Sequence, residues 1–417
     1  MPPALPRILL LASALLALGA SAVQAPPRGD GGAAKAATPP ATAAATAPAA
    51  PEAPLPALDL SALRLDRGSG RMVAPLGHGE ATLTLDPRLQ ARLERFLRSY
   101  EVPWGSAVVL EPATGRILAL AEHSQEEPGR RGLPVRALAP AASIFKIVTA
   151  AALLEQGVSP EEETCYHGGR HRLRPGLLAD DPRRDRRCVS FAEAFGRSTN
   201  VVFAKLAGRA LGADVLRAGA ERFLFNVPLP FATPVEVSRA EIEDAPFALA
   251  AAAAGFGPVR LSPLHAALLA AVVANRGLLV PPVVVEPPDA AAAAAAPAPW
   301  RVVDERAGEI LAEMMRRTVS DGTARRVFRR PPPSLRGVEV AGKTGSLAER
   351  EPYRDYSWFV GFAPVDRPEV AVAAVVANGR LWRVRAPTVA REALDAYFSG
   401  RLARAGEGRG AVAVSSR

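Results

Sequence analysis

Serine and lysine three positions apart, in Ser143-Ile144-Phe145-Lys146, are the residues most suited to chemistry in this chain. A serine hydroxyl is a poor nucleophile until a neighbouring base takes its proton, and a desolvated lysine can be that base. Pro140 and small residues precede the pair, and the Ala/Leu-rich run Ile147 to Gln156 ends at Gly157, so the spacing predicts a helix start with both side chains on one face. Two further groups share this character. Ser198-Thr199-Asn200 opens the helical pattern Val201 to Leu211, and Lys343-Thr344-Gly345-Ser346 follows the apolar strand pattern Val338 to Ala341. At Gly345 the missing side chain leaves room for a substrate backbone along the strand. Each group alone has a plainer reading: a capping serine with a solvated lysine, a helix N-cap, and an exposed strand end.

The basic residues add weight to these lysines. Only Lys35, Lys146, Lys205 and Lys343 are lysines among 51 basic residues, and the remaining 47 are arginines. Arginine cannot give up its proton in a protein, so a lysine in an arginine-preferring chain marks a place where charge alone does not suffice. The formal charge of +9, with 6% aromatic residues and no long basic block, excludes a nucleic-acid-binding reading and leaves affinity for anionic surfaces. At 49% hydrophobic over 417 residues, the chain can build a sizeable core.

The elements that must position these residues begin well inside the sequence. Arg7, the apolar run Ile8 to Leu18 and small residues up to Ala22 or Ala25 predict a signal peptide over residues 1–25, with an uncleaved inner-membrane anchor as the competing reading. Residues 26–57 hold 13 Ala and 8 Pro in 32 positions, and predict a disordered tether. Residues 58–81 read as a short lead-in. Thr82 to Leu85 alternates as a strand, Pro87 to Tyr100 carries a helical stripe, and Ala107–Leu110 with Ile117–Ala121 reads as a hairpin. Helical patterns fill Ser143 to Ala274. Strands return at Val338 to Lys343, Ser357 to Phe362 and Val370 to Val376, and a last helix spans Pro387 to Phe398 before a disordered tail at 401–417. This order predicts an α/β (α+β) domain over 82–400: one antiparallel sheet assembled from distant segments, flanked by helices, with a mainly helical insertion. The alanines at 290–296 read as a low-complexity surface insertion.

Taken in order, Ser143-x-x-Lys146, Ser198-x-Asn200 and Lys343-Thr344-Gly345 resemble the active site of the penicillin-recognising serine acyltransferases. Supporting motifs resemble the penicillin-binding protein transpeptidase domain in particular: Thr82 to Asp86, Gly255-Phe256-Gly257, Gly322-Thr323-Ala324 and Trp358 to Pro364. The resemblance implies a β-lactamase/transpeptidase-like fold and attack by Ser143 on a D-Ala-D-Ala bond of a peptidoglycan stem peptide, or on a β-lactam. It also implies roles. Lys146 is the base, Ser198 shuttles a proton to the leaving D-Ala, Asn200 holds Lys146 and the substrate amide, and Lys343, Thr344, Gly345 and Ser346 bind the terminal carboxylate end. Backbone N–H groups of Ser143 and Ser346 form the oxyanion hole, and no cofactor or metal is implied. Three positions depart from the family pattern: Ala142 for Gly, Phe256 for Gln and Ser346 for Thr.

Cys165 and Cys188 enclose 22 residues with seven arginines and three aspartates. In an exported chain the pair predicts a disulfide closing a solvated loop at the cleft rim. The alternatives are zinc held by Cys165, His167, His171 and Cys188, and free thiols. Taken together, the expectation is a periplasmic D,D-transpeptidase, without a glycosyltransferase domain or the long N-terminal module of the larger division enzymes. Its rivals are an oxacillinase-type β-lactamase and a non-catalytic β-lactam sensor or scaffold.

Overall fold

The computed structural model describes residues 57–294 and 297–414. The expected signal peptide lies outside the described residues, as does all of the expected tether but its last residue. Five strands form the central antiparallel sheet: β1 (Trp104–Leu110), β2 (Ile117–Ser124), β3 (Ala341–Arg350), β4 (Tyr353–Ala363) and β5 (Val370–Asn378), in the order β3-β4-β5-β1-β2. The sheet therefore closes around β5 and β1, every residue of which is buried. Alternation explains how one strand serves two cores. Along β5, Ala371, Ala373 and Val375 enter one cluster, while Val370, Val372, Ala374 and Val376 enter the other.

On the second face lie α1 (Pro87–Ser99) and the long C-terminal helix α8 (Ala386–Val414). Asp86 caps α1 by accepting from the Arg88 and Leu89 N–H groups, Pro87 sits in its first turn, and Leu89, Leu93 and Leu97 recur on the buried face. The first face carries the helical body: α2 (Lys146–Glu155), α3 (Phe191–Arg197), α4 (Asn200–Ala210), α5 (Pro246–Ala253), α6 (Pro263–Ala274) and α7 (Glu305–Ser320). Every residue of α6 is buried, because it runs between the sheet and the other helices. Among the described residues no helix is long and apolar enough to cross a membrane.

Four expectations need correction. The lead-in at 58–81 is part of the folded body: Arg64–Asp66, Arg71–Leu76 and Gly79–Thr82 form a small sheet, and Leu58, Met72, Ala74 and Ala81 join the main core. Its strands are too short and turn-rich for periodicity to register. Thr82 to Leu85 is not a strand, since past Thr82 only Leu83 makes an isolated bridge, to Val285. The strand expected at Val338 to Lys343 runs instead from Ala341 to Arg350; as an edge strand it exposes alternate residues, so its polar half escapes an apolar pattern. Finally, α8 continues to Val414, through much of the expected tail.

Candidate active site

The serine-lysine pair is set by a tight turn rather than by a simple helix start. Ala142–Phe145 form one 3₁₀ turn that runs directly into α2. Side chains three apart eclipse one another on such a turn, and Lys146 Nζ lies 2.9 Å from Ser143 Oγ. Entering the turn requires left-handed backbone at Ala142, with φ of 49°, a conformation that costs roughly 1–2 kcal/mol for a residue with a Cβ. Gly255, at φ of 88°, packs directly beneath it. A Cβ on Gly255 would lie 2.3 Å from the Ala142 carbonyl oxygen and 3.0 Å from the Ser143 nitrogen, so only glycine lets the two segments meet. From the sheet side, Trp358 Nε1 donates to the Pro140 carbonyl at 2.9 Å.

Lys146 is fully buried and has three partners: Ser143 Oγ, Asn200 Oδ1 at 2.6 Å and the Ala254 carbonyl oxygen at 2.5 Å. None carries charge. Burial first, and then the nearby Lys343 ammonium, hold the Lys146 amine well below the usual lysine range. A neutral amine has two N–H donors and one lone pair. Asn200 Oδ1 and the Ala254 carbonyl are acceptors and take the two donors, which leaves the lone pair facing the one partner that owns a proton, Ser143 Oγ–H. An amine so placed can accept the Ser143 proton.

Lys343, also fully buried, donates to Ser198 Oγ at 3.0 Å and to the Thr344 carbonyl at 3.1 Å, and burial lowers it to about 7. Ser198 reaches that position as the left-handed residue closing α3, at φ of 54°, and α4 begins at Asn200 with no side-chain cap from Thr199. Ser198-Thr199-Asn200 is thus a joint between two helices, with Thr199 at the N-cap position of α4 but making no side-chain cap. Thr344 Oγ1 meets Thr323 Oγ1 at 2.5 Å, which brings in a residue with no assigned role in the sequence reading. Ser143, Ser198, Asn200, Thr344, Gly345 and Ser346 all line one cleft of about 910 Å³, and Phe256 forms part of its wall. Gly345 serves packing more than substrate approach: a Cβ there would meet Ile144, Trp358 and the Ala141 carbonyl at 3.2–3.4 Å, so its bareness lets β3 close against the serine turn.

Cys165 and Cys188 form a disulfide across the two-stranded hairpin Glu163–Tyr166 and Arg187–Ser190. The loop that it closes holds the front of α4. The Arg170 and Gly169 carbonyls accept from the Asn200 and Val201 N–H groups at 3.4 and 3.1 Å, and the His171 carbonyl accepts from Asn200 Nδ2 at 3.3 Å. Beneath it, buried Lys205 donates to the Cys165 carbonyl, Asp180 and Asp185 at 3.1, 3.1 and 2.6 Å. The expectation of a wholly solvated loop therefore fails at Asp185, whose side chain is 5% exposed. Replacing both cysteines by alanine should lower stability by about 3 kcal/mol and slow acylation as Asn200 loosens. Urea unfolding checks the first effect, and an unchanged midpoint counts against it.

The profile of the penicillin binding protein transpeptidase domain matches residues 105–395. The peptidoglycan D,D-transpeptidase PbpA of Mycobacterium tuberculosis is 30% identical over 340 residues, covering 72% of this chain and 68% of that protein. Stage V sporulation protein D of Bacillus subtilis is 26% identical, over 71% of this chain and 49% of its own. Among solved structures, the penicillin G acyl-enzyme complex of penicillin-binding protein A from M. tuberculosis is similar, with a TM-score of 0.61 at 27% identity over 80% of this chain and 83% of that one. The D,D-transpeptidase domain of a peptidoglycan glycosyltransferase from Eggerthella lenta gives 0.63 at 26% identity over 77% and 83%.

Proposed function

The chain belongs to the penicillin-binding protein transpeptidase family, and on that premise we propose that it is a peptidoglycan D,D-transpeptidase in which Ser143 forms the acyl-enzyme. The observation that carries the residue roles is the burial of Lys146 among neutral hydrogen-bond partners, at 2.9 Å from Ser143 Oγ. Lys146 takes the Oγ proton as Oγ attacks the carbonyl of the penultimate D-Ala. The C–N bond to the terminal D-Ala then breaks, and Ser198, bonded to Lys343 at 3.0 Å, relays a proton to the departing amine. The terminal carboxylate rests on Lys343, Thr344 and Ser346 until it leaves with that D-Ala. The oxyanion lies against the backbone N–H groups of Ser143 and Ser346. Attack by an acceptor amine on the ester restores Ser143 and makes the cross-link, whereas attack by water trims the peptide.

This chemistry works outside the cytoplasm. Arg7 and the apolar run Ile8 to Leu18 support export to the periplasm, with residues 26–57 as the spacer if the leader stays in the inner membrane. The cystine is in keeping with an oxidising compartment.

Fluorescent penicillin should form an adduct on the protein that persists for many minutes. With a D-Ala-D-Ala thioester donor, the same preparation should make acceptor-dependent product from a D-amino acid. Continuous penicillin hydrolysis at tens of turnovers per second, well inside the usual enzyme range of roughly 1–10³ s⁻¹, would defeat the reading in favour of a β-lactamase. An adduct with no transfer to any acceptor would favour a sensor.

A further inference from the structure

We infer that Arg385 forms a subsite for a second carboxylate, carried by the donor peptide upstream of the scissile bond; the inference rests on the transpeptidase reading above. The guanidinium of Arg385 stacks on the Trp382 ring, 4.6 Å from its centroid, and both residues line the cleft that contains Ser143. Trp382 is itself fixed, because its Nε1 donates to Asp355 at 3.0 Å. Arg385 is exposed, and the stack orients its planar fork over the indole. Among the described residues Arg385 has no carboxylate partner; Arg170, Arg172 and Arg326 line the same cleft and likewise have none, but of these four only Arg385 is stacked on an aromatic ring. The one carboxylate lining this cleft, Asp355, is committed to neutral donors, Tyr353 OH at 2.7 Å and the Trp382 indole.

The register of the sheet places this cation along the substrate's path. Ser346 pairs with Ser357 and Ala348 with Asp355 across β3 and β4. Ser357 Oγ accepts from the Ala386 N–H, so Arg385 stands beside the stretch of β3 that follows Lys343-Thr344-Gly345. With the terminal carboxylate held at Lys343, Thr344 and Ser346, the rest of an extended donor must leave along Leu347 to Arg350. A carboxylate on that upstream portion meets an arginine that is oriented by its stack and unpaired, and the bidentate contact it offers is of the strong, charge-assisted kind.

The test compares two D-Ala-D-Ala thioester donors that differ only in a side-chain carboxylate or carboxamide on the residue before the penultimate D-Ala. Wild-type protein should prefer the carboxylate donor by about tenfold or more in kcat/KM, and the preference should shrink with added salt. In Arg385→Gln the ratio should fall to near one; in Arg385→Lys, which keeps charge without the fork, it should lie between. Penicillin labelling of each variant checks that the site has folded. Equal rates for both donors with wild type, or a preference retained by a labelled Arg385→Gln, would overturn the subsite while leaving the transpeptidase reading intact. A preference that follows a carboxylate moved onto the acceptor would also overturn it. Labelling without transfer from either donor would remove the function and the subsite together.

Discussion

Lys146→Arg should slow acylation of Ser143 by fluorescent penicillin about 10³-fold, within the range that general bases contribute. A guanidinium has no lone pair to offer at any accessible pH, so arginine removes the proton-accepting step and sets a fixed charge where the wild-type site holds a neutral amine. The site also penalises the arginine, since Lys146 is fully buried with no carboxylate partner to compensate a fixed charge. Lys146→Met separates the two effects, because it fills similar space without charge and without a base. Both variants should be nearly silent, and Ser143→Ala fully silent, while each melts cooperatively. Near wild-type labelling in either folded lysine variant would remove the general-base assignment, and undiminished labelling of Ser143→Ala would remove the nucleophile.

The usage of lysine and arginine made part of this site legible in advance. All three described lysines, Lys146, Lys205 and Lys343, are buried, whereas arginines serve the solvated faces. Burial alone does not separate chemistry from structure. Lys205 meets the carboxylates Asp180 and Asp185, and Lys146 and Lys343 meet only neutral groups. No sequence pattern announces that distinction, because the acids that pair with Lys205 come from a loop 20 and 25 positions away. Local periodicity found α1 and the buried strand β5, where one residue after another reports its own burial. It missed the exposed half of β3 and the short strands at 64–82, whose partners rather than their composition make them strands. Ala142 and Ser198 show the same limit in the backbone. Their left-handed conformations are imposed by Gly255 and by the joint between α3 and α4, long-range contacts that a residue type does not reveal.

Lys343 should give the wild-type protein an alkaline limit for acylation close to neutral pH. Burial lowers this lysine to about 7, and its ammonium is the cation that would grip the terminal carboxylate, so kcat/KM, which reports the free enzyme, should fall about tenfold per pH unit above that point. Between pH 7 and 9 the expected drop is roughly 50-fold, as the protonated fraction of Lys343 falls. The sign for stability is opposite. From about 7 up to the ordinary lysine value of 10.5, the unfolded chain holds a proton that the folded protein has released, so this group's contribution makes folding more favourable as pH rises through that window. Lost acylation alongside retained stability therefore identifies deprotonation and not unfolding. Lys343→Arg should acylate slowly, since a bulkier cation must fit a closed space, yet its residual rate should change by less than about threefold over the same two pH units, because arginine stays charged. Lys343→Ala should lose about 10²-fold or more at pH 7, the cost of truncating one partner of a buried ionic contact. A wild-type rate that stays flat to pH 9, or a Lys343→Arg profile that keeps the alkaline limb, would mean that the carboxylate is held by Thr344, Ser346 and Thr323 without the charge of Lys343.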